Sequence, residues 1–164
     1  MAQEEYGKLA ALILTAILVA VYFCAPVDCS VVGLTKQGGW PRLYYSFLHA
    51  SVLHLVVNCW CLLSIAFAYT IKPWQLVLAI VTATLTPAFC LYDTPTVGLS
   101  VAVYALLGMW ALHVRRKLFY SAWILSYLSI GFLFPAVNVL AHIYGYMAGL
   151  LVSLLTMPMK CETR

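Results

Sequence analysis

The segment HASVLHLVVN, residues 49–58, places two histidines and an asparagine near the start of a long apolar run. That run covers residues 46–70, and a transmembrane helix needs about 20 predominantly apolar residues. Polar and ionisable side chains are costly in lipid, so those inside such a helix are functional candidates by default. The segment therefore predicts a membrane helix with a functional site near one of its ends.

The composition of the whole chain also indicates a membrane protein. Hydrophobic residues make up 65% of the 164 residues and charged residues only 9%, whereas about 25% of a soluble domain is charged. The length fits one domain, residues 1–164, and the first apolar stretch lacks the cleavage site of a signal peptide. The net charge of +4 does not indicate nucleic-acid binding, because the basic residues flank apolar segments.

The six cysteines do not have the spacing of a zinc site, so we expect no bound metal. Cys59, Cys61 and Cys90 lie in apolar segments, which favours buried thiols. Only Cys24 and Cys29 are placed to form a disulfide in a loop, and the sequence leaves their pairing open.

Six apolar segments predict an all-α membrane bundle with six spans. Their approximate bounds are residues 8–25, 46–70, 74–92, 100–113, 118–134 and 138–158. With the N-terminus inside, seven of the nine Lys and Arg residues fall on the inner side, as the positive-inside rule requires. The sequence therefore predicts that both termini are cytoplasmic.

The fourth segment is short, and this sets the depth of Ser100. From Ser100 to the basic run that begins at His113 the helix covers only about 20 Å, whereas the hydrocarbon core is about 30 Å thick. If the basic end lies at the inner surface, Ser100 lies roughly 10 Å below the outer one. His54 and His142 fall at a similar depth on two helices that run in the same direction. We therefore expect one serine and two histidines to converge.

Helical spacing predicts which side chains share a face. Three pairs have the i,i+4 spacing that places them on one helix face: His54 with Asn58, Ser100 with Tyr104, and Gly145 with Gly149. The glycine pair allows two membrane helices to approach closely, and His142 lies on the same face. Such an approach would bring His142 within hydrogen-bond reach of Ser100, which is the contact that activates a serine nucleophile.

Four elements of the sequence together resemble the rhomboid intramembrane serine proteases, and the resemblance covers nearly the whole chain. WPRLYYSFLHASVLHLVVN, residues 40–58, resembles the end of the family's first loop and the start of its second span. GLSVAVYALLG, residues 98–108, is similar to the serine motif, and AHIYGYMAG, residues 141–149, is similar to the sixth span. The fourth element is Trp40 and Arg42. They resemble a tryptophan and an arginine of the family's first loop, although Pro41 lies between them here.

The resemblance implies a six-helix fold with a Ser–His dyad that is open to water from the outer face. Ser100 would be the nucleophile and His142 the general base. The side chains of His54 and Asn58 and the backbone N–H of Ser100 would hold the oxyanion. Tyr104 would pack against the ring of His142.

The same resemblance gives supporting and structural roles to further residues. Gly98 would belong to the serine motif, and Gly145 and Gly149 would form the close-packing face. Three residues would order the first loop and its surroundings: His49, Trp40 and Arg42. His49 lies five residues before His54, about 140° away on a helix, so we expect the two side chains to point apart.

The resemblance also implies partners. The substrates would be single-span transmembrane proteins, cut at small residues near the outer end of their helix, and the reaction would need no cofactor. The small size of the chain and the lack of a targeting peptide favour the lipid bilayer of a prokaryotic inner membrane, and the sequence leaves an organelle membrane open. The sequence leaves the substrate and the oligomeric state open.

Two other functions remain as alternatives. The family pattern is G-x-S-G, but Val101 follows Ser100 here, which favours an inactive relative that binds transmembrane segments without cleaving them. The other alternative is a metal or haem protein that uses the four histidines His49, His54, His113 and His142. It is weakened by the position of His113 at the inner end of its segment, away from the other three.

Overall fold

The computed structural model describes residues 2–156, and the side chains of residues 5–156. Within that part the chain is all-helical, with seven α-helices and no named strand. The helices are α1 (Ala2–Cys24), α2 (Cys29–Val32), α3 (Val52–Ala68), α4 (Pro73–Thr84), α5 (Ser100–Trp110), α6 (Lys117–Gly131) and α7 (Val139–Thr156).

Helix α5 is the centre of the bundle. Seven of its eleven residues are buried, on every side of the helix, as expected for a helix that is apolar all round. It packs most extensively against α7 and also contacts α4 and α3. Helix α6 lies at the edge, where it packs on α7. The predicted segment 100–113 and the observed helix both begin at Ser100.

Two helices are shorter than the predicted segments 46–70 and 74–92. Helix α3 begins only at Val52, because Ser51 acts as its N-cap and accepts a hydrogen bond from the backbone N–H of His54 at 3.2 Å. Helix α4 ends at Thr84, and a short 3₁₀ turn follows it. Pro87 explains this end, since proline lacks an N–H and disfavours helical geometry in the preceding residue.

Two of the described helices are long and apolar enough to cross a membrane, over Glu5–Cys24 and Val139–Thr156. Helices α3, α4 and α5 are apolar but shorter. At 1.5 Å per residue, the 12 residues of α4 extend about 18 Å. The described part of the sixth predicted segment, 138–158, ends at residue 156, so its last two residues lie outside the described residues.

The long loop between α1 and α3 is fixed to the bundle at several points. Leu34 and Thr96 exchange backbone hydrogen bonds, both at 2.8 Å, in an isolated antiparallel bridge. The fully buried Tyr45 donates a hydrogen bond from its hydroxyl to the carbonyl of Ala83 at 2.8 Å, near the end of α4. At the start of the loop Asp28 caps α2, and hydrogen bonds from Ser30 lower the pKa of the Asp28 carboxyl. The loop is therefore an ordered layer over one end of the bundle.

Candidate functional site

Ser100 is the first residue of α5, and the chain reaches it through an irregular segment. Gly98 has φ +109°, a conformation that glycine adopts without strain. Its N–H donates a hydrogen bond to the carbonyl of Tyr45 at 2.9 Å, so the ordered loop holds the entry to α5. As the first helical residue, Ser100 has a backbone N–H without a carbonyl partner inside the helix. That N–H is available to an incoming oxygen.

The side chains of Ser100 and His142 form a hydrogen bond between α5 and α7. The Nε2 atom of His142 lies 2.8 Å from Oγ of Ser100. On its other side, the His142 ring stacks on the ring of Tyr104, with centroids 4.6 Å apart and an angle of 16° between the planes. The stack fixes the ring plane and directs Nε2 at the hydroxyl. This arrangement suits transfer of the serine proton to the imidazole.

His54 and Asn58 border the same irregular segment. A Cβ built on Gly98 would lie 2.7 Å from both Cε1 and Nε2 of His54 and 3.6 Å from Nδ2 of Asn58. The absence of a side chain at Gly98 therefore lets the imidazole lie directly on the backbone, two residues before Ser100. Asn58 is buried and donates one amide hydrogen to the carbonyl of His54 at 2.9 Å. Its second amide hydrogen remains for another acceptor.

Close packing of α5 on α7 depends on glycine. A Cβ on Gly145 would lie 2.5 Å from the carbonyl oxygen of Val101, and one on Gly149 would lie 1.9 Å from that of Ala105. Gly108 contributes from the other helix, because its Cβ would lie 2.1 Å from the carbonyl oxygen of Tyr146. These contacts bring the two backbones together, and the hydrogen-bonded pair lies at one end of the crossing.

Val101 fits into the space that Gly145 leaves. Its side chain is 1% exposed, and its Cγ1 atom lies 3.1 Å from the position of a Cβ on Gly145. The valine therefore packs into the α5–α7 interface. The hydrogen bond between Ser100 and His142 is present beside it.

The expectation that His49 and His54 point apart is wrong. Their rings make an edge contact, with centroids 5.1 Å apart and an angle of 65° between the planes. The 140° separation assumed a helix through both residues, but α3 begins at Val52 and the chain turns before it. His49 is buried, and neither of its ring nitrogens has a hydrogen-bond partner in the described structure.

Arg42 and Trp40 have different surroundings. The Nη1 atom of Arg42 donates to the backbone carbonyl of Thr86 and, at 3.5 Å, to that of Thr84. A cation at these carbonyls satisfies the end of α4 and interacts favourably with its dipole. The Trp40 side chain is 79% exposed, so its indole lies on the surface.

The sequence did not predict that Asn138 and Thr96 belong to the site. Asn138 precedes α7 and accepts a hydrogen bond from the N–H of Ala141 through Oδ1 at 3.1 Å. Its Nδ2 donates to Oγ1 of Thr96 at 3.0 Å. An asparagine directly before an apolar helix is the usual signal of an N-cap. The link from Asn138 to Thr96 had no signal in the sequence.

A second Ser–His contact joins the same two helices at their other end. The Oγ atom of Ser153 lies 3.3 Å from Nδ1 of His113, which also lies 3.2 Å from the carbonyl oxygen of Met109. Ser153 is 1% exposed, so its hydroxyl is closed to solvent. The Ser153 hydroxyl is therefore not accessible to a substrate.

Metal binding and a disulfide find no structural support in the described part of the chain. Residues 5–156 contain no group of three or more His, Cys, Asp or Glu side chains that could hold a metal ion. Cys24 and Cys29 are both free thiols. The remaining described cysteines are free as well.

The protein is an apolar helical bundle. The side chains of a serine and a histidine form a hydrogen bond between two of its closely packed helices. The sequence matches the Rhomboid domain family over residues 36–159, a range that contains all the residues of the site. The chain belongs to the rhomboid family, which is membrane-embedded and whose members are generally serine proteases. No curated protein matches the sequence.

Proposed function

We propose that the protein is an intramembrane serine endopeptidase, with Ser100 as the nucleophile and His142 as the general base. The observation that carries this proposal is the 2.8 Å contact between Nε2 of His142 and Oγ of Ser100. The stack of Tyr104 on the imidazole supports it, because a general base must be held in the orientation that receives the proton. No carboxylate of residues 5–156 is hydrogen-bonded to His142, which favours a dyad over a triad.

The reaction would proceed in two steps through an acyl-enzyme. Oγ of Ser100 attacks the scissile carbonyl carbon while Nε2 of His142 takes the hydroxyl proton and then passes it to the leaving amine. A water molecule, deprotonated by the same imidazole, then releases the acyl group. The negative charge on the carbonyl oxygen would be held by the Ser100 N–H and the side chains of His54 and Asn58. The N-terminus of α5 adds favourable electrostatics for that charge.

The substrates we propose are transmembrane proteins. A peptide bond in a helix is protected by its own hydrogen bonds, so the substrate must unwind before Ser100 can reach it. Glycine and other residues with low helix propensity reduce the free energy of unwinding. We propose that cleavage takes place near the outer face of a prokaryotic inner membrane. The protein would form one domain of six spans, with both termini in the cytoplasm, as the distribution of Lys and Arg favours.

Fluorophosphonate labelling of the purified protein tests the proposal. We expect the wild-type protein to be labelled and the Ser100→Ala and His142→Ala variants to remain unlabelled. Ser153→Ala is the matched control, since Ser153 is the other serine of an α5–α7 Ser–His contact but is closed to solvent. Labelling that persists in Ser100→Ala would show that another residue reacts and would refute the proposed nucleophile.

An inactive relative that binds transmembrane segments is the second candidate, and Val101 is the observation that favours it. Its side chain fills space at the α5–α7 interface beside Ser100, where the family pattern has glycine. If the folded wild-type protein is not labelled and Val101→Gly is labelled, the valine has switched off the nucleophile. Labelling of the wild-type protein would exclude this candidate.

A further inference from the structure

The end of the bundle away from Ser100 contains a cavity that the proposed reaction does not use. Its volume is about 530 Å³, and it lies between the end of α3, the end of α5 and the start of α6. Trp110, which lines the cavity, lies ten positions after Ser100, about 15 Å along α5. A volume in this range is typical of a small-molecule site.

The walls of the cavity are aromatic and its rim is basic. Tyr69 and Trp110 stack on one side, with ring centroids 5.2 Å apart and an angle of 18° between the planes. Trp123 also lines the cavity, from α6. Arg115 and Arg116 are the two charged lining residues, and the others are His113, Val114, Phe119 and Tyr120. None of the residues that line the cavity is acidic.

The positive charges at this site are electrostatically unfavourable unless an anion binds beside them. Arg115 and Arg116 directly precede α6, which begins at Lys117. The N-terminus of a helix carries partial positive charge and favours anions. Here no side chain caps it. Within the described part of the chain, neither arginine forms a salt bridge. An anion bound here would be stabilised by both the guanidinium groups and the helix end.

We propose that this cavity binds the phosphate head group of an anionic phospholipid. Guanidinium groups bind phosphate oxygens with two parallel hydrogen bonds, and basic pockets between membrane helices are suited to lipid head groups. The outer surface of α6 continues the site. Leu118 is 89% exposed and Leu125 is 63% exposed, and their spacing of two helical turns forms an apolar track for an acyl chain. This track distinguishes a lipid from a free phosphate ion.

Native mass spectrometry of the full chain in a neutral detergent tests the proposal. The protein is titrated with phosphatidylglycerol and, separately, with phosphatidylcholine that has the same acyl chains. We expect Arg115→Gln/Arg116→Gln to reduce the affinity for phosphatidylglycerol at least tenfold. The matched control is Lys72→Gln/Lys117→Gln, which removes the same charge beside the cavity from residues that do not line it, and we expect a reduction of less than threefold.

A competition measurement identifies the ligand. Inorganic phosphate at 10-fold excess over the lipid is expected not to displace it. Equal losses in the two double variants would indicate general surface attraction and would overturn the proposal. Displacement by inorganic phosphate, or equal binding of phosphatidylcholine, would overturn it as well. Circular dichroism checks the fold of each variant, and the experiment is independent of protease activity.

Discussion

Gly149→Ala tests whether the approach of α7 to α5 sets the geometry of the dyad. The added Cβ would lie 1.9 Å from the carbonyl oxygen of Ala105 and 2.7 Å from its carbonyl carbon. Ordinary contact begins near 3.4 Å, so the two backbones would have to separate locally by about 1.5 Å. Both obstructing atoms belong to the backbone of a buried helix, which cannot move aside as a flexible side chain can.

This separation has two measurable consequences. A shift of even about 1 Å between Ser100 and His142 would lengthen their 2.8 Å contact beyond hydrogen-bond distance. A misplacement of that size can cost about 10²-fold in rate. We therefore expect the second-order rate of fluorophosphonate labelling to fall by about two orders of magnitude. Overpacking typically also costs about 1–3 kcal/mol, so the midpoint of thermal unfolding should fall.

Gly131→Ala is the matched control. It is also a Gly→Ala change in a helix, but its Cβ would meet only Cγ2 of Val139, at 3.0 Å, and Cγ1 of Val137, at 3.5 Å. Both are side-chain atoms that can adjust, and alanine gains about 1 kcal/mol of helix propensity over glycine. We expect near-wild-type labelling and stability for Gly131→Ala. Wild-type labelling and an unchanged unfolding midpoint for Gly149→Ala would refute the reasoning.

Three other predictions concern the groups around the dyad. His54→Ala and Asn58→Ala should each lower the rate of peptide cleavage about 10²–10³-fold. Circular dichroism should show that both variants fold. A loss below threefold would exclude an oxyanion role. Arg42→Gln should lower the midpoint of thermal unfolding because it removes charged hydrogen bonds worth about 1.5–3 kcal/mol, whereas Lys36→Gln, which breaks an exposed ion pair, should change it little. Asn138→Ala should lower the free energy of unfolding by about 1 kcal/mol through loss of the helix cap. Asn138→Asp keeps the acceptor and should recover most of that stability. Equal losses in the two variants would place the stabilising role in the bond to Thr96.

Helical spacing predicted the contacts of Ser100 and Tyr104 with His142, because these contacts are made between regular helices. The i,i+4 pairs on α3, α5 and α7 define faces, and apolar helices with glycine on those faces pack closely. That logic predicted the approach of His142 to Ser100. It also led to the wrong orientation for His49, because helical geometry was applied to residues that precede the N-cap Ser51. The start of α3 is set by the hydroxyl group of Ser51, which hydrophobicity does not report.

The bounds of α4 were missed for a related reason. The segment 74–92 is apolar throughout, so hydropathy alone reads it as one helix. Its helix ends at Thr84 because Pro87 interrupts it, and the carbonyls left at that end are satisfied from the distant loop by Arg42. A partner more than forty positions away in sequence cannot be inferred from local pattern.

The depth of Ser100 depends on the irregular segment before it, which is held by contacts from three separate parts of the chain. Backbone that is not helical can lie inside a membrane protein only if its polar groups are satisfied by the protein or by water. Thr96 is paired with Leu34 of the loop through two backbone hydrogen bonds, and Gly98 donates to the carbonyl of Tyr45. The side chain of Thr96 accepts a hydrogen bond from Asn138 at the start of α7. Because Asn138 caps α7 and lies four residues before His142, this bond connects the entry of the serine helix directly to the helix of the base.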